Sequence, residues 1–105
     1  MAQMRLSQVA LGDIQAIDRH LARERPAALR GVMRGLLNAF NQLELFPASG
    51  ALALTLDDGR SYRVSVAGSY LVYYRLLDED VGFVARVWDA RKRRPTTAAQ
   101  LEPDE

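Results

Sequence analysis

Apolar positions along this chain change their spacing at Ala51. From Val9 through Ile14, Ile17 and Leu21 they recur at intervals near three and four, the period of an amphipathic helix. Ser7 stands where an N-cap hydroxyl would accept from a free amide, so the spacing predicts a helix over about residues 8 to 24. Pro26 suits the first turn of a second helix, where a backbone donor lacks a partner in any case. Leu29, Met33, Leu36, Leu37, Phe40 and Leu43 draw an apolar stripe along that helix. FPASG at 46 to 50 ends it, and the short ARERP link folds the two helices into an antiparallel hairpin.

From Ala51 the period is two. Leu52, Leu54 and Leu56 alternate with smaller residues, DDG at 57 to 59 turns the chain, and Tyr62, Val64 and Val66 alternate again. AGS at 67 to 69 precedes YLVYYRLL, and DED at 78 to 80 precedes VGFVARVW. MRLSQVA, ahead of the first helix, reads as a short strand or as a lead-in. The class is α+β: an N-terminal strand and a helical hairpin packed on an antiparallel β-meander, both helices on one sheet face. Residues 1–97 are expected to form one domain, and 98–105 an acidic tail that frays.

Composition narrows the function. A chain of 105 residues, 49% hydrophobic, suits one small core. With no cysteine there is neither a disulfide framework nor a thiolate metal site, which suits a reducing cytoplasm. No apolar run approaches the roughly 20 residues that span a bilayer, so no membrane role is expected. Walker, G-x-G-x-x-G, H-E-x-x-H and calcium-loop patterns are all missing, and neither a metal nor a cofactor is expected. The net charge of +1 hides a local concentration: Arg86, Arg91, Lys92, Arg93 and Arg94 follow one another with only Asp89 to oppose them, while residues 1–85 balance. A patch of that kind draws polyanions or acidic partners.

The order of these pieces resembles the RelE/ParE superfamily of toxins from type II toxin–antitoxin modules. ALGDIQAI at 10 to 17 fits A-x-x-D-[IL]-x-x-I, LNAFNQLELFP closes the second helix on F-P, SYLVYYR contains Y-x-[VI]-x-Y-R, and VARVWDARKRRP ends on the basic cluster. The resemblance spans about residues 4 to 95. It implies a compact cytoplasmic toxin, held inactive by an antitoxin from an adjacent gene, whose target is DNA gyrase in ParE-like members and ribosome-bound mRNA in RelE-like ribonucleases. Trp88 and Asp89 stand where ParE-like members often carry histidine, and Pro95, Thr96 and Thr97 follow Arg94 where RelE-like enzymes place a proton-transfer group.

A ribonuclease of this family would use the 2′-OH of its RNA as nucleophile, with cations for the phosphate and separate groups to move protons. Arginine supplies only the cation, because guanidinium stays protonated. Tyr73 and Arg75 share one face of their strand, and Arg86 is expected beside Val84 and Trp88. If the helices cover the Val64 face, Arg63, Arg75 and Arg86 gather with Tyr73 on the uncovered one; the alternatives are ordinary aromatic packing and a solvated face paired with Asp57, Asp58 or Glu79. His20 reads as a helix-surface residue. Trp88 either caps the core or anchors a partner, and residues 91–94 either meet an acidic or phosphate partner or keep an edge soluble. The leading expectation is a ParE-like toxin without its own catalytic site, binding target or antitoxin through Arg86, Trp88, Arg91, Lys92, Arg93 and Arg94. The alternatives are a RelE-like endonuclease using Arg63, Tyr73, Arg75 and Arg86, and a non-toxic protein-binding module. In each, an antitoxin segment, helical and then extended, supplies acids to the basic block.

Overall fold

The computed structural model describes residues 1–103. Strand β1 (Gln3–Leu6) leads into helices α1 (Gln8–Glu24) and α2 (Pro26–Leu45), followed by β2 (Ala51–Thr55), β3 (Ser61–Ala67), β4 (Tyr70–Leu76), β5 (Val81–Asp89) and a final turn of helix, α3 (Ala98–Leu101). One five-stranded sheet has the order β1-β5-β4-β3-β2. The four strands from β2 onward form the expected antiparallel meander, and β1 joins its far edge parallel to β5.

Local chemistry sets these boundaries. The Ser7 hydroxyl accepts from the Ala10 amide at 2.9 Å and donates to the Ala85 carbonyl at 2.8 Å, so one side chain starts α1 and ties it to β5. Pro26 occupies the first turn of α2, and Pro47 follows its end. Gly59 and Gly68 take φ of 92° and 62° in the first two of the three hairpin turns, a region open to glycine at no steric cost.

The helices cover the face of the sheet that carries Tyr70, Val72 and Tyr74, where Ala10, Leu36, Ala39 and Leu43 complete a buried cluster. That is the Arg63 side, because Arg63 pairs with Tyr74 and Val64 with Tyr73, so the condition on which Arg63 would join Arg75 and Tyr73, helices over the Val64 face, is not met. Leu37 falls outside the core stripe and is exposed. Two irregularities break the alternation that the sequence suggested. A register shift between Leu52 and Leu54 leaves Leu52 exposed while Leu54 packs with Tyr62 on the opposite face. In β5, Tyr73 pairs with Arg86 but Tyr74 with Val84, so Ala85 is an extra residue and Arg86 sides with Trp88 and not with Val84.

The second face is covered as well. Leu101, 1% exposed, closes a cluster of Tyr62, Leu71, Tyr73 and Ala85. Thr97 caps α3 through a capping box with Gln100, and Pro95 is buried. The expected frayed tail is therefore corrected for residues 98–103: Leu101 is buried against the sheet, and the capped turn of α3 holds it there. Residues 104 and 105 lie outside the described residues.

The loop after α2 is fixed from within the helix-side core. The buried Tyr74 hydroxyl donates to the Pro47 carbonyl at 2.7 Å and accepts from the Gly50 amide at 2.9 Å. Arg63 donates to the carbonyls of Ala48 and Gly50. A Cβ on Gly50 would lie 2.7 Å from that same hydroxyl. Tyr74→Phe, which strands a buried amide and carbonyl, is expected to cost about 2 kcal/mol in chemical denaturation. A loss under about 0.5 kcal/mol would show that the latch contributes nothing.

Candidate functional site

The basic block follows β5 at a corner built by Asp89. Its carboxylate accepts from the Arg91 amide at 2.9 Å and holds the Arg91 guanidinium through two further bonds of 3.1 and 2.9 Å. Hydrogen bonding from the Arg91 side chain is the main reason the Asp89 carboxyl sits below the usual aspartate range. The Ala90 amide bonds the Ser69 carbonyl and the Lys92 amide bonds the Asp89 carbonyl, which clamps the corner to the β3–β4 turn. The Trp88 indole then donates to the Arg93 carbonyl at 3.1 Å.

Trp88 is both a packing residue and a platform. Its ring meets Tyr73 edge-on at 6.4 Å, and the Arg86 guanidinium lies 5.1 Å above it. Arg91, Lys92, Arg93 and Arg94 are all exposed. Arg91 is matched by Asp89; among the described residues no carboxylate lies within 4.0 Å of Lys92, Arg93 or Arg94.

Of the other arginines singled out in the sequence, Arg86 and Arg75 are held by the chain's own acids and Arg63 by backbone carbonyls. Arg86 makes bonds of 2.8 and 2.9 Å to Asp13 of α1 and a third of 2.9 Å to the Gln100 carbonyl. Asp13 also accepts from the Val87 amide at 2.9 Å, at the edge of β5 that β1 leaves free beyond Val84. Arg75 binds Glu102 at 2.6 and 3.2 Å and lies 5.1 Å over Phe83. Arg63 is on the opposite face. The proposed gathering of Arg63, Tyr73, Arg75 and Arg86 on one open surface is thus not what the fold builds: the set is split between two faces, and the second face lies under the C-terminal segment.

Proton affinity follows the same packing. Burial, assisted by Glu102, pushes the Tyr62 phenol up to about 12, and burial also raises Tyr73, against the pull of the nearby Arg94 charge. Burial tends to raise the Glu102 carboxyl, but hydrogen bonds from Arg75 and the Tyr62 hydroxyl outweigh it and hold the group below the glutamate range. The signs give a two-sided stability profile. Because the folded Tyr62 pKa exceeds the unfolded value, its contribution is complete below pH 10 and is lost between pH 10 and about 12. Because the folded Glu102 pKa is depressed, its contribution is present above the unfolded glutamate value of 4.5 and fades as pH falls through the lower folded one. Denaturation midpoints across pH, with Tyr62→Phe as comparison, check this: the variant should lose less stability on the alkaline side, and equal losses would contradict the assignment.

Between α1 and the end of β5 lies a cleft of about 500 Å³ with Ala16, Ile17, Tyr70 and Val87 in its lining and Asp13, His20, Asp89, Arg91 and Lys92 among its polar residues. His20, read from the sequence as plain helix surface, sits beside the basic corner although 71 residues separate it from Arg91. Asp13 and Glu102, the carboxylates that hold Arg86 and Arg75, were not singled out as site residues either. Asp13 had a readable signal, since it shares the helical phase of Ala10 and Ile17 and a charge there requires a buried partner. Glu102 had none, because nothing local says that the tail returns to the sheet.

Among the described residues no helix is long and apolar enough to cross a membrane. A search of curated proteins returned no match. Residues 4–94 match the family described as ParE toxin of type II toxin-antitoxin system, parDE, which takes in β1, the helical hairpin, the meander and the whole basic corner. The chain belongs to the ParE toxin family and is the toxin component of a type II toxin–antitoxin pair, with an antitoxin as its partner.

Proposed function

We propose that this toxin acts by binding a macromolecular target, DNA gyrase, through the basic corner, and that acids of the antitoxin compete for the same corner. The observation carrying this reading is the contrast within residues 86–94: Arg86 and Arg91 are neutralised internally, whereas Lys92, Arg93 and Arg94 project from a hydrogen-bonded turn with no carboxylate near them among the described residues. A rigid turn pre-orders these cations and lowers the entropy lost on docking. A catalytic reading has less support, because Tyr73 is buried with a raised pKa and the arginines that would flank it are ion-paired.

Gyrase supercoiling and cleavage-complex assays with the purified chain test this. Replacing Lys92, Arg93 and Arg94 together by glutamate is expected to reduce inhibitory potency at least about tenfold and to weaken antitoxin affinity, as charge reversal at a complementary surface does. Arg91→Ala should have the smaller effect. Full gyrase activity at high toxin concentration would refute the target, and new 5′ ends on ribosome-bound message would replace it with the endonuclease reading.

A further inference from the structure

Charge on the folded chain is sorted between its two ends. At one end the acidic turns meet: Asp58 of the β2–β3 turn lines a depression with Arg60, Arg63, Arg75, Leu76 and Leu77, where Arg60 is bound to Asp58 and Arg75 to Glu102, and Asp78, Glu79 and Asp80 follow directly. At the other end the α1–α2 link meets the end of β5, where His20, Arg25, Ser69, Tyr70 and Arg91 line one depression. The basic corner is therefore continued in space by Arg25 and His20, both distant from it in sequence.

Helix phase carries the surface further. Core-facing Ala10, Ile14, Ile17 and Leu21 leave Arg19 and Arg23 on the outer side of α1, and core-facing Leu36, Ala39 and Leu43 leave Arg30 and Arg34 on the outer side of α2; all four arginines are exposed. Each pair is one turn apart, about 6 Å along its axis. Neighbouring helices lie about 8–10 Å apart, so the four cations form one patch. Among the described residues the carboxylate within 4.0 Å of any of them is Glu24, 3.6 Å from Arg23.

We propose that this basic end, comprising the outer arginines of the hairpin with Arg25 and Lys92 beside the link, binds the phosphate backbone of duplex DNA directly. All but one of the chain's basic residues are arginine, whose planar fork matches phosphate oxygens. A single strand would need exposed aromatic rings for its bases. Here Tyr70 and Tyr73 are buried and Arg86 covers the Trp88 ring. An acidic peptide would be drawn to the partly apolar cleft beside the corner, lined by Ala16, Ile17, Tyr70 and Val87, whereas the outer faces of both helices near the link present Arg19, Arg23, Arg30 and Arg34. A long, stiff polyanion that asks only for spaced cations fits best. The inference goes beyond the gyrase reading, because such contact needs no gyrase.

The full-length chain, titrated by fluorescence anisotropy into a labelled duplex of about 24 base pairs, is expected to bind at low salt with a log–log salt slope of about −4. The double variants Arg19→Gln/Arg23→Gln and Arg30→Gln/Arg34→Gln, which keep helix propensity, should each weaken binding about tenfold or more and flatten the slope by about 2. Arg60→Gln, at the acidic end, should change neither quantity. No binding at about 50 mM salt, hairpin variants that bind like the parent, or equal affinity for polyglutamate or a single strand of the same length would overturn the proposal. Duplex binding that persists while gyrase remains fully active would remove the gyrase reading alone.

Discussion

Asp13→Ala is expected to lower the stability of the chain by about 3 kcal/mol, since removing one partner leaves the other charge with an uncompensated desolvation cost. In a domain of this size that corresponds to a fall in Tm of roughly 10 °C or more. Asp13 and Arg86 have side chains only 15% and 22% exposed. The carboxylate also serves the Val87 amide, so the alanine strands a sheet-edge donor together with a guanidinium. Asp13→Asn, which can still accept from that amide, should lose about half as much. Thermal and chemical denaturation of the two variants measure this. A loss under about 1 kcal/mol for the alanine would mean that solvent readily replaces the carboxylate.

The second large effect is expected at Leu101. Leu101→Ala should cost about 3 kcal/mol, within the usual range for emptying a fully buried leucine site. The same change should release Glu102 from Arg75, and with it the cover over Tyr62 and Tyr73. Hydrogen exchange distinguishes this from uniform weakening: amides of residues 96–102 should lose protection at denaturant concentrations where the β4–β5 ladder keeps its own. Equal loss across the sheet, or a stability change under about 1 kcal/mol, would show that the C-terminal segment is not a separate cover.

Much of the fold was legible because its signals are local. Ser7, Pro26 and the Phe46–Pro47 stop act on their own neighbours, and the period-two alternation of Tyr62, Val64 and Val66 with Arg63 and Ser65 needs no distant partner to be seen. The faces of the sheet were less legible. Alternation assigns residues to two sides but not to helices or solvent, and each unpaired residue in a bulged ladder reverses the assignment beyond it. That is why Arg86 was expected with Val84, while Arg63 was expected with Arg75 because alternation within a strand does not give the register between strands, which sets Arg63 against Tyr74. The basic run was visible, but which of its members are free was not, because Asp13 and Glu102 reach Arg86 and Arg75 from sequence separations of 73 and 27.

The order of amino acids by itself determined the elements, the α+β class, the family pattern and the place of the basic run, since each depends on spacing, capping or composition within a few residues. Tertiary structure alone decided that the second sheet face is closed by Leu101, that Arg75 and Arg86 are neutralised while Lys92, Arg93 and Arg94 are not, and that His20 and Arg25 stand beside Arg91. The reason is range. Burial and ion pairing act over a few ångströms of space, and only the closed chain brings residues from opposite ends of the sequence within that distance.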